Sequence, residues 1–287
     1  MTTALITGAS GLLGQCLVRQ CPADASVMAT GRTASGGAPV ALDPSDVRAA
    51  EALVRQHGVS HIINCAAIRS PDTCRDNPDA ARAANAGIPQ ALAAVATATG
   101  ATFVHISTDY VFDGANPPYA EEARPNPVNV YGLTKQAGED AARVAPHHLI
   151  VRIPAQFRAD LSDPRNVSTI FARRLREQGH LTEDAVTVRY YTLADDTADA
   201  IWYCIRNGVT GTIHLTSDEK TSKAGLARTV AGWLGLPADS VTDGPIDVST
   251  ELRPLDSHLD GRRYRTMGGP VLRGVASTPA PRSGGAG

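Results

Sequence analysis

Tyr131 and Lys135 stand four residues apart in Tyr131-Gly-Leu-Thr-Lys135. On a helix that spacing puts both side chains on one face. A lysine ammonium beside a phenol lowers the phenol's pKa and readies it to give and take a proton near neutral pH. Lys135 is the only lysine before Lys220; every other basic residue in that span is arginine or histidine. A compact, tunable amine is thus required where a guanidinium would not serve. Upstream, Ser107-Thr108-Asp109-Tyr110-Val111-Phe112-Asp113-Gly114 follows an apolar run. A hydroxyl at the carboxyl end of a parallel strand can hydrogen-bond a carbonyl oxygen as it becomes an alkoxide. Thr108 is the first choice for that hydroxyl and Ser107 the second.

A third motif, Gly8-Ala-Ser-Gly11-Leu-Leu-Gly14, follows a strand and opens a helix. Glycines there let the backbone turn tightly and approach a pyrophosphate, which the free N–H groups of the helix N-terminus stabilise. At the end of the second strand a carboxylate would bind a ribose 2′-hydroxyl and repel a 2′-phosphate. The chain has Thr30-Gly31-Arg32-Thr33 instead, and Arg32 can hold a phosphate by a charge-assisted fork. These residues favour NADP(H).

The elements that must position these groups alternate. Ala4–Thr7, Ser26–Thr30, Pro39–Leu42, His61–Asn64, Phe103–Ser107 and Leu149–Ile153 read as strands. Leu12–Gln20, a segment opened by Asp43-Pro44-Ser45, an Ala-rich stretch from Asn77–Pro78 to Gly100, and Asn129–Val144 read as helices. Pro89 should kink or break the third of these, and the stretch with Pro71 and Asp72 reads as a polar loop. Such alternation implies a doubly wound, parallel α/β sheet of Rossmann type, covered on both faces. Residues 1–154 form its dinucleotide-binding domain. Beyond Pro154, helices at Val167–Gln178, Asp196–Arg206 and Lys223–Leu234 and strands at Ala185–Tyr190 and Thr212–Leu215 suggest a small substrate-binding cap. It spans residues 155–268, with segments returning to the core. The last residues, 269–287, carry Pro, Gly and Ser with little apolar content and read as a disordered tail.

Composition excludes several classes of function. The 287 residues are 43% hydrophobic and 20% charged, with a formal net charge of -2. That balance gives no reason to expect a nucleic-acid or membrane-surface partner. No run of eighteen apolar residues occurs, and the start, MTTALITGAS, lacks a signal-peptide pattern. The five cysteines (Cys16, Cys21, Cys65, Cys74, Cys204) show neither disulfide nor zinc spacing, so reduced thiols in a cytoplasmic protein and no metal site are expected.

Gly8–Gly14, Asn64-Cys-Ala-Ala67, Ser107–Gly114 and Pro127-Val-Asn-Val-Tyr131-Gly-Leu-Thr-Lys135-Gln-Ala-Gly138-Glu139 together resemble the extended short-chain dehydrogenase/reductase family. Within it the chain is most similar to dTDP-4-dehydrorhamnose reductases and to the regulatory β subunit of methionine adenosyltransferase. The stretch DYVFDGANPPY, Asp109–Tyr119, is shared in style with both. The resemblance implies that Ser10, Leu12 and Leu13 contact the pyrophosphate, Arg32 the 2′-phosphate, and Asp43 and Pro44 the adenine. Cys65, Ala66 and Ala67 would line the ribose and nicotinamide side, Lys135 would bind the nicotinamide ribose, and Ile153 and Pro154 would flank the ring. Thr108, Tyr131 and Lys135 would be catalytic, and Thr108, Asp109, Tyr110, Gln156 and Arg253 would meet the substrate, a ketone such as a 4-keto sugar nucleotide. Arg173 and Arg189 join Arg253 as candidates for the substrate's phosphates. The implied activity is NADPH-dependent ketone reduction, and a homodimer is allowed. Two alternatives stay open: a regulatory subunit that binds NADP without turnover, and an epimerase or dehydratase that retains NAD. The chain departs from the sugar-nucleotide reductases at Ile153-Pro-Ala-Gln-Phe157, where they often carry a tryptophan, and at Arg189-Tyr190-Tyr191-Thr192, where a proline-threonine step is usual.

Overall fold

The computed structural model describes residues 2–34, 40–246 and 252–281. Its first half runs β1 (Thr2–Thr7), α1 (Leu12–Arg19), β2 (Ala25–Gly31), β3 (Val40–Ala41), α2 (Val47–Gln56), β4 (His61–Asn64), α3 (Pro71–Asp76), α4 (Pro78–Arg82), α5 (Ile88–Thr99), β5 (Thr102–Thr108), α6 (Val130–Ala142) and β6 (His148–Ile153). There follow β7 (Gln156–Phe157), α7 (Val167–Gln178), β8 (Leu181–Asp184), β9 (Thr192–Leu193), α8 (Ala194–Arg206), β10 (Gly211–His214), α9 (Lys223–Trp233), β11 (Val241–Gly244) and α10 (Arg262–Thr266).

Seven strands form one parallel sheet in the order β10-β6-β5-β4-β1-β2-β3. The chain winds outward from β1 to β3, returns to β4, and winds the other way. The reversal lies between β1 and β4, where such sheets open a crevice at their carboxyl edge. Side chains alternate across the sheet with period two. Ala4, Ile6, Val104 and Ile106 face a core shared with Leu13, Leu17, Ile201 and Trp202 of α1 and α8. Leu5, Ile62, Phe103 and Ile150 face the other core, against Val54 of α2 and Leu92 and Val95 of α5. Trp202 reaches across to donate its indole N–H to the Leu17 carbonyl at 3.0 Å. A third core, with Phe157, Phe171, Leu175, Leu181 and Val230, lies in the later half of the chain.

Several local readings shift. Asp46 caps α2, accepting from Ala49 N, so the helix begins after the Asp43–Ser45 turn that was expected to open it. Residues 71–76 are helical, because Ser70 caps the segment and Pro71 suits its first turn. Ahead of Pro89 the helix widens into one π-type turn, Ala83–Gly87, since proline has no N–H to continue the regular ladder. The expected strand at 185–190 is reduced to isolated bridges at Val188 and Arg189. Asp184 instead accepts from the backbone N–H groups of Val186 and Thr187, turning the chain just after β8, which pairs with β11. Among the described residues no helix is long and apolar enough to cross a membrane.

The tail is corrected too, through residue 281. Arg273 forks onto the buried Asp196 of α8, and Glu219 accepts from the backbone N–H groups of Gly274, Ala276 and Ser277. Val275 is buried in the third core. Two apolar side chains, Leu272 and Val275, with the arginine fork and the Glu219 bonds, order a segment whose composition reads as loose. Removing residues 269–287 is expected to lower the unfolding free energy by about 3 kcal/mol or more, from the lost burial of these two side chains and the loss of charged hydrogen bonds. Urea denaturation checks this, and an unchanged midpoint would show that the docked segment adds nothing.

Candidate active site

The loop from β1 into α1 meets the loop after β4 at the reversal point. Gly8 has a φ of 67°, and a Cβ there would sit 2.7 Å from the Ala66 nitrogen. A Cβ on Gly14 would sit 2.4 Å from the Gly8 carbonyl oxygen, so only glycine lets the first turn of α1 lie this close to the loop. Gly11, at the helix's N-cap position, brings no side chain to its first N–H groups. The result is a cradle of backbone with the N-terminus of α1 bare above it.

That cradle is one wall of a cleft of about 460 Å³. Gly8, Gly11, Leu12, Leu13, Gly14, Cys65 and Ala67 line it on the cradle side. Across from them stand Thr108, Asp109 and Tyr110 from the end of β5, Tyr131 and Lys135 from α6, and Ile153, Pro154 and Gln156 after β6. Asn129 sets the start of α6, accepting from the Gly132 N–H at 2.8 Å, and so places Tyr131 in the first turn.

Thr108 and Ser107 part ways. The Ser107 hydroxyl donates to Glu139 at 2.6 Å, whereas the Thr108 hydroxyl lies at the Tyr131 phenol, the Asp109 carboxylate and the Tyr110 N–H. Burial pushes the Tyr131 phenol above the ordinary tyrosine range; the Thr108 hydroxyl opposes this, and Asp109 and Tyr110 add to it. The expected depression by Lys135 is not there. The lysine nitrogen turns toward β5 and donates to the Ile106 carbonyl at 2.6 Å. Burial lowers its own pKa to about 8, against the pull of Glu139 and Cys65. Asp109 is raised by burial, against hydrogen bonds from Ser257 and Thr108 and the charge of Arg189.

Beneath this layer Glu139 and Arg152 form a fully buried ion pair, with bonds of 2.9 and 2.8 Å. Burial alone would raise the Glu139 carboxyl, but Arg152, Ser107 and Arg143 outweigh it and hold it below the usual range.

Six expected residues stand outside the cleft. Ser10 sits in the cradle turn, half-buried, its carbonyl taken by Gln15. Ala66 backs onto Gly8. Arg32, Asp43 and Pro44 lie just past the carboxyl ends of β2 and β3, with Arg32 exposed near Asp43. Arg253 reaches Asp72 of α3 at 2.7 Å. Of the other arginines read as phosphate candidates, Arg173 is exposed beside Glu177, and Arg189 is buried with its guanidinium over the Tyr110 ring. In their place Arg69 and Arg165 line the cleft, the first donating to the second's carbonyl at 3.0 Å. Tyr191 lines it as well. No spacing signal links positions 69, 165 and 191, because the fold alone brings them together.

Known proteins resemble the chain over nearly its whole length. A crystal structure of a dTDP-4-dehydrorhamnose reductase from Clostridium acetobutylicum superposes with a TM-score of 0.85 at 29% identity, covering 95% of each chain. The dTDP-4-dehydrorhamnose reductase of Bacillus anthracis, solved in complex with NADP, gives 0.86 at 25% identity over 96% of each chain. Among curated proteins, the dTDP-4-keto-6-deoxy-D-glucose reductase of Streptomyces niveus is 33% identical, covering 96% of this chain and 91% of its own. Methionine adenosyltransferase 2 subunit beta of Rattus norvegicus is 32% identical, covering 92% of this chain and 82% of its own. With the model of the RmlD substrate binding domain matching residues 1–276, the chain belongs to that family.

Proposed function

We propose that the protein is an NADPH-dependent ketoreductase of the extended short-chain dehydrogenase type, acting on a 4-keto sugar nucleotide or a related biosynthetic ketone. The observation that carries the reading is the convergence of Thr108, Tyr131 and Lys135 on the cleft that the glycine cradle closes. The cradle fits a dinucleotide: a Cβ at Gly8 or Gly14 would fill it, and the bare start of α1 suits a diphosphate. Arg32 past β2, with no carboxylate at the strand's end, suits a 2′-phosphate. Residues 1–154 hold the cofactor, and residues 155–268 supply the substrate cap while returning β10 and α8 to the core.

Bound there, NADPH supplies the hydride that reduces the ketone carbon. Thr108 orients the carbonyl through its hydroxyl. Tyr131, kept neutral by burial, gives its phenolic proton to the carbonyl oxygen as negative charge develops on it. Lys135, its nitrogen anchored on the Ile106 carbonyl at the cleft wall, would hold the nicotinamide ribose. Arg69 and Arg165, on the cleft wall, match the diphosphate of a sugar nucleotide. Asp109, Tyr110 and Gln156 shape the substrate side. The protein works on a small molecule in the cytoplasm, alone or as a homodimer, with no role for nucleic acid or membrane.

The 32% identity to a methionine adenosyltransferase subunit supports a second reading, NADP binding without turnover. Following NADPH absorbance against a panel of keto-sugar nucleotides separates the two. Stoichiometric consumption establishes a reductase and also excludes an NAD-retaining epimerase or dehydratase. No consumption with any ketone favours the binding subunit.

Tyr131→Phe is expected to lower kcat by roughly 10²–10⁴ with NADPH affinity nearly intact, the usual effect of losing a positioned proton donor. Full turnover in that variant would remove Tyr131 from the chemistry. Arg32→Ala should weaken NADPH binding by about tenfold or more while leaving NADH almost unaffected, since a charged hydrogen bond is worth about 1.5–3 kcal/mol. Calorimetric titration with both dinucleotides measures this, and equal losses would take the 2′-phosphate away from Arg32.

A further inference from the structure

Behind Lys135 runs a line of buried side chains that the proposed reaction does not use. The Thr7 hydroxyl donates to Asn64 Oδ1 at 2.7 Å, and the Ala66 backbone N–H donates to the same oxygen at 3.2 Å. The other end of that amide, Nδ2, lies 3.3 Å from His105 Nδ1. His105 Nε2 in turn lies 3.4 Å from Lys135 Nζ. Thr7, Asn64, His105 and Lys135 are all buried.

The chemistry of these groups fixes the protons. A backbone N–H can only donate, so the Asn64 atom facing Ala66 must be the amide oxygen, and the NH₂ must face His105. That NH₂ can only donate, so His105 Nδ1 accepts and carries no proton. Burial, aided by Lys135 and Arg143, holds the imidazole well below its ordinary pKa, which leaves it neutral with one proton. The proton sits on Nε2, the nitrogen turned toward the lysine. Gly138 permits the approach: a Cβ there would lie 2.2 Å from the Asn85 carbonyl oxygen and 3.1 Å from His105 Nε2.

We infer that His105 is a positioning residue for Lys135: locked as the Nε2–H tautomer by Thr7, Asn64 and Ala66, it presents the lysine nitrogen with an N–H instead of a lone pair. The inference rests on the reading of Lys135 as a working group of the cleft. The ammonium then has one acceptor at its back, the Ile106 carbonyl, and its remaining N–H groups are left for the cleft. An opposed N–H also makes the amine release its proton more readily. The other groups acting on it, Glu139 from α6 and Cys65 from the loop after β4, favour the charged form and so oppose that effect.

The chain has only three lysines, Lys135, Lys220 and Lys223, so their side-chain NMR signals are separable, with Lys135→Met assigning the first. In the unaltered protein, histidine ¹⁵N spectra are expected to show His105 neutral and protonated on Nε2. Protonation on Nδ1, or on both nitrogens, overturns the inference without any variant having to fold. In Asn64→Asp the carboxylate accepts from Nδ1–H and the tautomer inverts, so Nε2 offers the amine a lone pair. The Lys135 titration is then expected to rise by about one unit or more, and the alkaline fall of kcat, set by loss of the ammonium, should move up with it. An unmoved titration contradicts the inference, as does a rise that persists when His105→Phe is added, which would assign it to the new charge alone. Full turnover in Lys135→Met would instead sink the reading of Lys135, and leave the tautomer standing as a structural fact.

Discussion

How closely α6 can lie on the end of β5 governs everything in the cleft. Tyr131 and Lys135 reach it only because the helix backbone nearly touches its neighbours. A Cβ on Gly132 would lie 2.2 Å from the Tyr110 carbonyl oxygen, and one on Gly138 would lie 2.2 Å from that of Asn85. Glycine inside a helix costs about 1 kcal/mol relative to alanine, and here close approach is what that cost obtains. Rotation is set by Glu139. Its carboxylate is enclosed by Ser107, Arg143 and Arg152, and only one rotation of α6 satisfies both of its oxygens. Attraction within a buried pair is largely offset by desolvation, so the pair matters more for fixing the helix than for net stability.

Depth in the cleft sets the character of the two groups that α6 delivers. Burial disfavours charge on both, raising the phenol and lowering the amine, so each is held nearer its neutral form. For a ketone reduction that bias suits the phenol, which must arrive with its proton. The amine is a different matter, because it binds a cofactor hydroxyl best as an ammonium with all its N–H groups. At about 8 the Lys135 pKa leaves most of the amine charged at neutral pH, with little margin. Its contacts with Ile106 and His105 turn it away from the phenol, which explains why simple spacing overestimated the influence of one on the other.

The sheet was legible because short apolar runs separated by helical ones leave few alternatives, and each expected strand of the first half lies on an observed one within its described residues. The Tyr131–Lys135 pair and the glycine loop were legible for a related reason: each is a short-range pattern tied to one element. What stayed hidden depends on long-range closure. Arg69 and Arg165 are far apart in sequence and meet through a side-chain bond to a backbone carbonyl. The docked tail hangs on Arg273 finding Asp196 and on Glu219 gathering backbone N–H groups, contacts that composition does not carry. At residues 185–190 local chemistry outweighed propensity, because one aspartate at the end of β8 took two backbone donors and turned the chain.

Identity alone does not choose between turnover and binding, since a methionine adenosyltransferase subunit and a sugar-nucleotide reductase stand at 32% and 33%. Site energetics bear on the choice. A protein that only had to hold a dinucleotide would need the cradle, the bare helix start and a phosphate partner, all of which can sit at the surface. It would gain nothing from burying an amine whose charge burial resists, nor from placing a phenol and a threonine hydroxyl together at the same depth. Perturbed, desolvated groups gathered in one cleft are what proton transfer asks for. Here Lys135, Tyr131 and Asp109 are all shifted by burial within a single cleft that opens beside the cradle. Such an arrangement weakens the fold locally, and a reaction at the cleft is the function that would make use of it.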